Sequence, residues 1–496
     1  MNWVVLPALS NIQAMTSPLL ATVAAENEPY VLAGVLLSFM VIYLASKLGG
    51  EICARLDLPP VLGELVGGVL VGVSALHLLV FPEGGVDGTN SLLMHVLQMT
   101  AGFDVTAIPS IFEAQSEVIS VLAELGVVIL LFEIGLESDI KELLRVGPQA
   151  TIVAVVGVVT PFALGTAGLM LVFGVPTVPA VFAGAALTAT SIGITAKVLA
   201  EIDRLTSREG QIIIGAAVMD DVLGIIVLAV VASLARNGSV QVSNVVFLII
   251  SAAAFLIGSI WLGRLLMPFF VSLVDNLKTR GQLLVMGLIF GYGLSYIAAV
   301  IHLEAILGAF AAGLILAETN KRKELEELVI PIADMLVPIF FVSVGARTDV
   351  SVLNPFVPEN REGLIMASFL ILIAIVGKVV TGATVFGMPG INRLAIGVGM
   401  VPRGEVGLVF AAVGSASGAL SKSLEAAIIV MVILTTFLAP PLLRVVFTRG
   451  DDGLDPEPTP ALANAASAEA VVLSSTSMDS PPAELERVES DHQSHD

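Results

Sequence analysis

The chain has 496 residues, of which 56% are hydrophobic and only 13% charged, and its mean hydropathy is +0.96. Those proportions exclude a water-soluble globule and leave an all-α polytopic membrane protein. The formal charge of −20 is no guide to partners, because residues 451–496 alone carry eleven acids against one arginine; a basic footprint for nucleic acid is absent, and Cys53, the only cysteine, rules out a disulfide framework or a thiolate metal cluster.

Residues 1–29 are apolar and interrupted by Pro7 and Pro18. Val23-Ala24-Ala25 resembles a small-residue cleavage site, but no Lys or Arg precedes it. A peripheral or re-entrant helix, a removed signal and an extra span are three open readings. Hydrophobic windows then predict about thirteen spans, each near the length that crosses a bilayer. They are A 30–48, B 59–76, C 118–137, D 149–173, E 178–199, F 210–234, G 244–266, H 281–300, I 303–318, J 328–346, K 363–387, L 393–417 and M 424–447. The segment 77–117 has no Lys or Arg. It reads as an extracytoplasmic insert, with a turn at Gly84-Gly85 and an amphipathic stretch near 91–100 lying on the membrane surface. Residues 448–496, rich in Pro, Ala, Ser and acids, have too little apolar surface to fold and read as a disordered cytoplasmic tail.

Span E is broken at its centre by polar and small residues, Thr188-Ala189-Thr190-Ser191-Ile192-Gly193-Ile194-Thr195. Span F carries two adjacent acids, Asp220 and Asp221, near its middle. One charge at that depth costs roughly 2.5–3.5 kcal/mol on insertion scales, so two in succession read as an ion and proton site. The alternative is that both are structural and satisfied by a neighbouring helix. Lys378 in span K lies at a depth matching Asp220, which allows an ion pair; snorkelling is the competing account. Neighbouring residues on a helix are about 100° apart. If Asp220 faces Lys378, Asp221 therefore points elsewhere and is left for a cation. Span L is broken like E, at Gly399-Met400-Val401-Pro402-Arg403-Gly404-Glu405. Arg403 and Glu405 are expected to bind each other or nearby acids and to hold the break together. Glu64, Glu124, Glu133, Glu304 and Asp334 each read as helix-end or packing partners, Glu133 being the one without an evident basic partner. His302, in a very short outer loop, needs no functional account.

Sixteen Lys and Arg residues fall in loops on one side, whereas Arg236, Arg347, Arg361 and Lys422 fall on the other. The positive-inside rule puts the C-terminus in the cytoplasm. The chain also repeats. Span C ends in Gly135-Leu136-Glu137-Ser138-Asp139 and span J in Gly345-Ala346-Arg347-Thr348-Asp349, and the broken spans E and L follow each at a similar distance. C and J are seven spans apart, so they cross in opposite directions. Inverted repeats with two discontinuous helices crossing at the midplane are a transporter architecture.

These motifs, Thr188–Ala196, Gly215–Gly224 with its Asp pair, Gly377-Lys378-Val379 and Gly397–Gly407, occur in one order. In them the chain resembles the NapA-type sodium/proton antiporters of the monovalent cation:proton antiporter-2 family over about residues 30–447. The resemblance implies an NhaA/NapA-like fold and a homodimer. It divides the chain into a dimerisation part (30–76 and 244–318), a moving core (118–234 and 328–417) and a last helix (424–447). It implies that Asp221 is the shared cation and proton carrier, that Asp220 pairs with Lys378, and that exchange is electrogenic and of elevator type. Residues 1–28, the insert and the tail lie outside the motif set.

The expected function is secondary active Na⁺(Li⁺)/H⁺ antiport, with K⁺/H⁺ antiport as the alternative; no enzymatic activity is expected. Asp221 and Asp220, with oxygens from the break in E (Thr190 and Ser191), are the candidate Na⁺ ligands, as suits a hard cation. H⁺ and Na⁺ would compete for one carboxylate, and that competition is the exchange. No cofactor is expected beyond the transported ions. The expected location is a bacterial-type inner (plasma) membrane or an internal energised membrane. An intramembrane aspartyl protease would need its two acids on separate helices sharing a proton, and a channel would lack coupling of cation flux to a proton gradient.

Overall fold

The computed structural model describes residues 18–82, 88–237, 242–416 and 418–451. Residues 1–17, most of the tail and the Gly84-Gly85 turn lie outside the described residues. The described residues up to Phe447 form one compact unit, and of residues 448–496 only 448–451 are described. Among the described residues the regular structure is entirely helical. The sixteen α-helices are α1 (Pro18–Arg55), α2 (Pro60–Val71), α3 (Leu92–Ala101), α4 (Ile108–Glu137), α5 (Ile140–Val172), α6 (Thr177–Ala186), α7 (Ile192–Glu201), α8 (Arg208–Asn237), α9 (Val242–Asn276), α10 (Gln282–Val300), α11 (Ala305–Leu316), α12 (Arg322–Ala346), α13 (Pro358–Ala383), α14 (Arg393–Gly399), α15 (Glu405–Ala416) and α16 (Lys422–Asp451).

Eight helices among the described residues are long and apolar enough to cross a membrane. A ninth span is the pair Val246–Trp261 and Gly263–Asn276, bent by 43°; Gly263 stands at that bend. The other four predicted spans are different objects. E and L are each two half-helices. B and I are helices of 12 residues each, about 18 Å long against a hydrocarbon core of about 30 Å. Span C begins at Ile108, ten residues before the predicted start, because Asp104 caps a short 3₁₀ turn by accepting from Thr106 N (2.9 Å) and Pro109 then suits the first helical turn. Residues 18–29 join span A in one continuous helix.

Within the insert, Ser91 caps α3 by accepting from Met94 N at 3.3 Å, and Gly102, at φ +71°, ends it. Leu93, Met94, Leu97, Phe103, Ile111 and Phe112 bury a small core against the middle of α1, where Tyr30 packs on Phe103 with ring centroids 5.1 Å apart. The repeat is visible in the caps. Asp139 accepts from Lys141 N (2.8 Å) to start α5, and Asp349 accepts from Ser351 N (2.8 Å) to start the turn before α13.

The helices sort by packing into two groups. One contains α1, α2, α4, α10, α11 and α12; the other contains α5, α6 and α8 with α13 to α15; α7 packs on α2 and α4 as well as on α8, and α9 runs against α8, α10 and α11. The expected division put spans C and J (α4 and α12) with the broken helices; by packing they lie against α11 and α2. Backbone contact between small residues decides it. A side chain at Gly135 would meet Phe310 O and one at Gly313 would meet Phe132 O, so α4 lies directly on α11; Gly68 and Gly345 likewise bring α2 onto α12. Close backbone approach of this kind replaces the hydrophobic drive that lipid removes. On the outside, Leu32, Leu36, Met40, Leu44 and Leu48 expose one apolar stripe along α1, as a span facing lipid does.

Candidate functional site

Two breaks cross inside the second group. Leu187–Ser191 separate α6 from α7, and Met400–Gly404 separate α14 from α15. Hydroxyl side chains compete for backbone partners in the first break. In the second, Pro402 offers no N–H and disfavours helical geometry at Val401. Unwound backbone in a membrane must find partners within the protein, and the two breaks partner each other. Ser191 N donates to Pro402 O at 2.9 Å, Thr190 Oγ1 to Met400 O at 3.2 Å, and Thr195 Oγ1 to Gly399 O at 3.0 Å.

Arg403 is fully buried in the second break. Its Nη1 donates to Met400 O at 3.1 Å, offsetting the negative end of α14, and its own carbonyl accepts from Thr436 Oγ1 at 2.5 Å. Its Nε and Nη2 find no hydrogen-bond partner among the described residues. The side chain of Glu405 lies outside the described residues.

Asp220 lies on α8, twelve residues from its start and so about 18 Å along the helix. Lys378 Nζ donates to Asp220 Oδ2 at 2.7 Å, and both side chains are 0% exposed. Thr190 Oγ1 lies 2.5 Å from the same oxygen, so its one proton is shared between Asp220 Oδ2 and the more distant Met400 O, which ties the first break to the pair. Asp220 Oδ1 has no hydrogen-bond partner among the described residues. Gly157 on α5 makes room for the ammonium; a Cβ there would stand 3.1 Å from Lys378 Nζ. Helix α13 ends at Ala383, four residues before the predicted end of span K, and the pairing reaches Asp220 all the same.

Asp221 is buried and turns to a different surface. With Thr190, Ser191, Ile192 and Gly404 it lines a cavity of about 10 Å³, room for about one water. Glu304 and Ile306 from the start of α11 also line it, so this cavity lies where the two packed groups meet. Gly404 also borders a cleft of about 370 Å³ that runs between α12, α15 and α16 to Arg347, Thr348 and Asp349. A Cβ on Gly404 would stand 2.8 Å from Ser191 Oγ.

The remaining acids are apart from this place. Glu64 accepts from Ser46 Oγ at 2.9 Å, and Glu124 and Asp334 are exposed. Glu304 is the residue that reading the sequence passed over. The sign was the shortness of span I, whose 12-residue helix begins with its acid at the level of Asp221.

Over residues 30–449 the sequence matches the family described as sodium/hydrogen exchanger, transmembrane. It is 69% identical over 449 residues to the high-affinity Na⁺/H⁺ antiporter NhaS3 of Synechocystis sp., covering 89% of this chain and 97% of that protein. It is 32% identical over 419 residues to the Na⁺/H⁺-K⁺ antiporter GerN of Bacillus cereus, covering 83% and 96%. The solved structure of the sodium proton antiporter MjNhaP1 from Methanocaldococcus jannaschii superposes with a TM-score of 0.55 at 16% identity, over 85% of this chain and 98% of that one, so the fold is shared.

Proposed function

The chain belongs to the sodium/hydrogen exchanger family, and from that premise we propose that it exchanges Na⁺ or Li⁺ for H⁺ across an energised membrane, with Asp221 as the shared carrier. One observation carries the assignment to Asp221: a buried carboxylate beside the hydroxyls of Thr190 and Ser191, in a space for one water, at the crossing of two broken helices. A small hard cation that trades its shell for such oxygens fits that space. A proton on the same carboxylate removes the charge that holds the ion, so each excludes the other.

The Lys378–Asp220 pair supports electrogenic exchange of the NapA type. A cation drawing on Asp220 would take the counter-charge of Lys378, and a buried ammonium left alone is costly enough to release its proton when the site opens to one side of the membrane. That adds a second proton per cycle. Membrane span count, thirteen with both broken helices, and a homodimer through the group containing α1, α2 and α10 to α12 complete the reading. The site's position between the two packed groups supports an elevator movement of one group against the other, with the C-terminus in the cytoplasm.

Purified protein in proteoliposomes tests this. Na⁺ and Li⁺ should each dissipate an imposed proton gradient more effectively than K⁺, and activity should fall as acid pH protonates the carrier and recover with added Na⁺. Asp221→Asn should abolish the exchange. Cation-driven proton flux that survives in Asp221→Asn would end the assignment, and equal responses to Na⁺ and K⁺ would favour the K⁺/H⁺ alternative.

A further inference from the structure

We propose that Glu304 is a second, fixed carboxylate of the cation path: a positioning residue on the group that does not carry Asp221, placed to draw the cation into the cavity and hand it across. The inference rests on the antiport reading above and adds to it a residue that the Asp pair, the Lys378 partner and the two breaks do not supply.

The geometry comes from α11. That helix is only 12 residues long and begins at Ala305, immediately after Glu304, which occupies its N-cap position with an extended backbone (φ −64°, ψ 133°) and makes no side-chain capping bond. The turn before it is tight: His302 adopts φ +65°, and Leu303 N closes back on Ala298 O at 2.9 Å. This fixes the helix start, and with it Glu304 and Ile306, in the lining of the small cavity that Asp221, Thr190 and Ser191 also line. Asp221 is buried, whereas Glu304 is exposed, so the two acids meet the cavity from its closed and its open side.

The first-turn N–H groups of α11 supply a partial positive charge at the same place. An apolar or neutral residue at position 304 would leave that charge facing the cavity and repel a cation. A carboxylate there reverses the sign of the field at the mouth and favours Na⁺ over an anion or an empty site. The packing of α11 on α4, through Gly313 and Gly135, holds Glu304 on the group opposite the broken helices. If the second group slides, Asp221 leaves Glu304 behind. Glu304 therefore serves the site in one of its two positions, and its effect belongs to one side of the membrane.

Na⁺-driven proton flux in proteoliposomes, with the cation supplied to one face at a time, tests the inference. Glu304→Gln should raise the Na⁺ concentration for half-maximal exchange roughly 3- to 10-fold, the scale of one unit charge acting across a few ångströms of wet cavity. The rise should appear from one face only, and the rate at saturating Na⁺ should fall by less than that factor. Glu304→Asp, which keeps the charge, should restore most of the affinity. Glu304→Ser removes the charge but keeps a good N-cap; it should behave like Glu304→Gln, and it replaces that variant if the latter does not reach the membrane. An unchanged half-maximal concentration in both neutral variants, an equal rise from both faces, or an equal loss in Glu304→Asp would overturn the assignment. Failure of the antiport reading itself looks different: there Asp221→Asn retains exchange whatever stands at 304.

Discussion

Replacing Lys378 by Met removes the buried ammonium while keeping most of the volume of its stem. Asp220 Oδ2 then retains only the hydroxyl of Thr190, and Oδ1 has no partner to offer in exchange. Neither side chain of the pair has exposed surface, so water does not compensate from outside. Breaking a buried pair from one side costs about 3–5 kcal/mol, whereas replacing both charges by neutral groups of similar size is often neutral. Lys378→Met and Asp220→Asn should each lower the apparent melting temperature of the detergent-purified protein. The double variant should melt above either single one. Heating followed by size-exclusion detection of the surviving fold gives that order directly. The same Lys378→Met protein, reconstituted, should lose the dependence of its residual exchange on membrane potential, because the second proton has no carrier. A double variant that melts below both single variants would show that the two side chains act independently, and the buried-pair argument would fail with it.

Two further outcomes follow from the crossing of the breaks. Gly404→Ala places a Cβ 2.8 Å from Ser191 Oγ; the exchange rate measured in proteoliposomes should fall between tenfold and a hundredfold, as a displaced site residue costs elsewhere. Thr190→Val removes the bond to Asp220 Oδ2, worth about 1.5–3 kcal/mol for a charged acceptor. Transport assays should show a higher half-maximal Na⁺ concentration, and Thr190→Ser should behave as the parent.

The sequence reveals chemistry that violates the membrane's rule and conceals geometry that obeys it. Asp220, Asp221, Lys378 and Arg403 stand out because charges are rare at that depth, and the polar and Pro-Gly interruptions at 188–191 and 399–404 stand out because spans are otherwise apolar. The partnership of helices does not stand out. Glycines 135, 313, 68 and 345, which set α4 on α11 and α2 on α12, read in the sequence as ordinary small residues. The inverted repeat groups C and J with E and L; the backbone contacts at those glycines, invisible in the sequence, set C on I and B on J. The acid at 304 was hidden for a related reason. A 12-residue helix and a 19-residue helix look alike in a hydropathy window, yet the shorter one brings its first residue to the level of Asp221.

The crossing also explains why two adjacent acids can take different parts. Asp220 receives Lys378 and Thr190 on one oxygen, and Thr190 also bonds Met400 O, which Arg403 caps. Moving Asp220 therefore disturbs both breaks at once. Asp221, one residue on and about 100° round the helix, faces the cavity that Glu304 also lines. Anything that changes the charge on Asp221 alters that cavity while the crossing behind it stays bonded. A carrier needs such a division: a titrating group that changes state each cycle, mounted on a polar framework that does not.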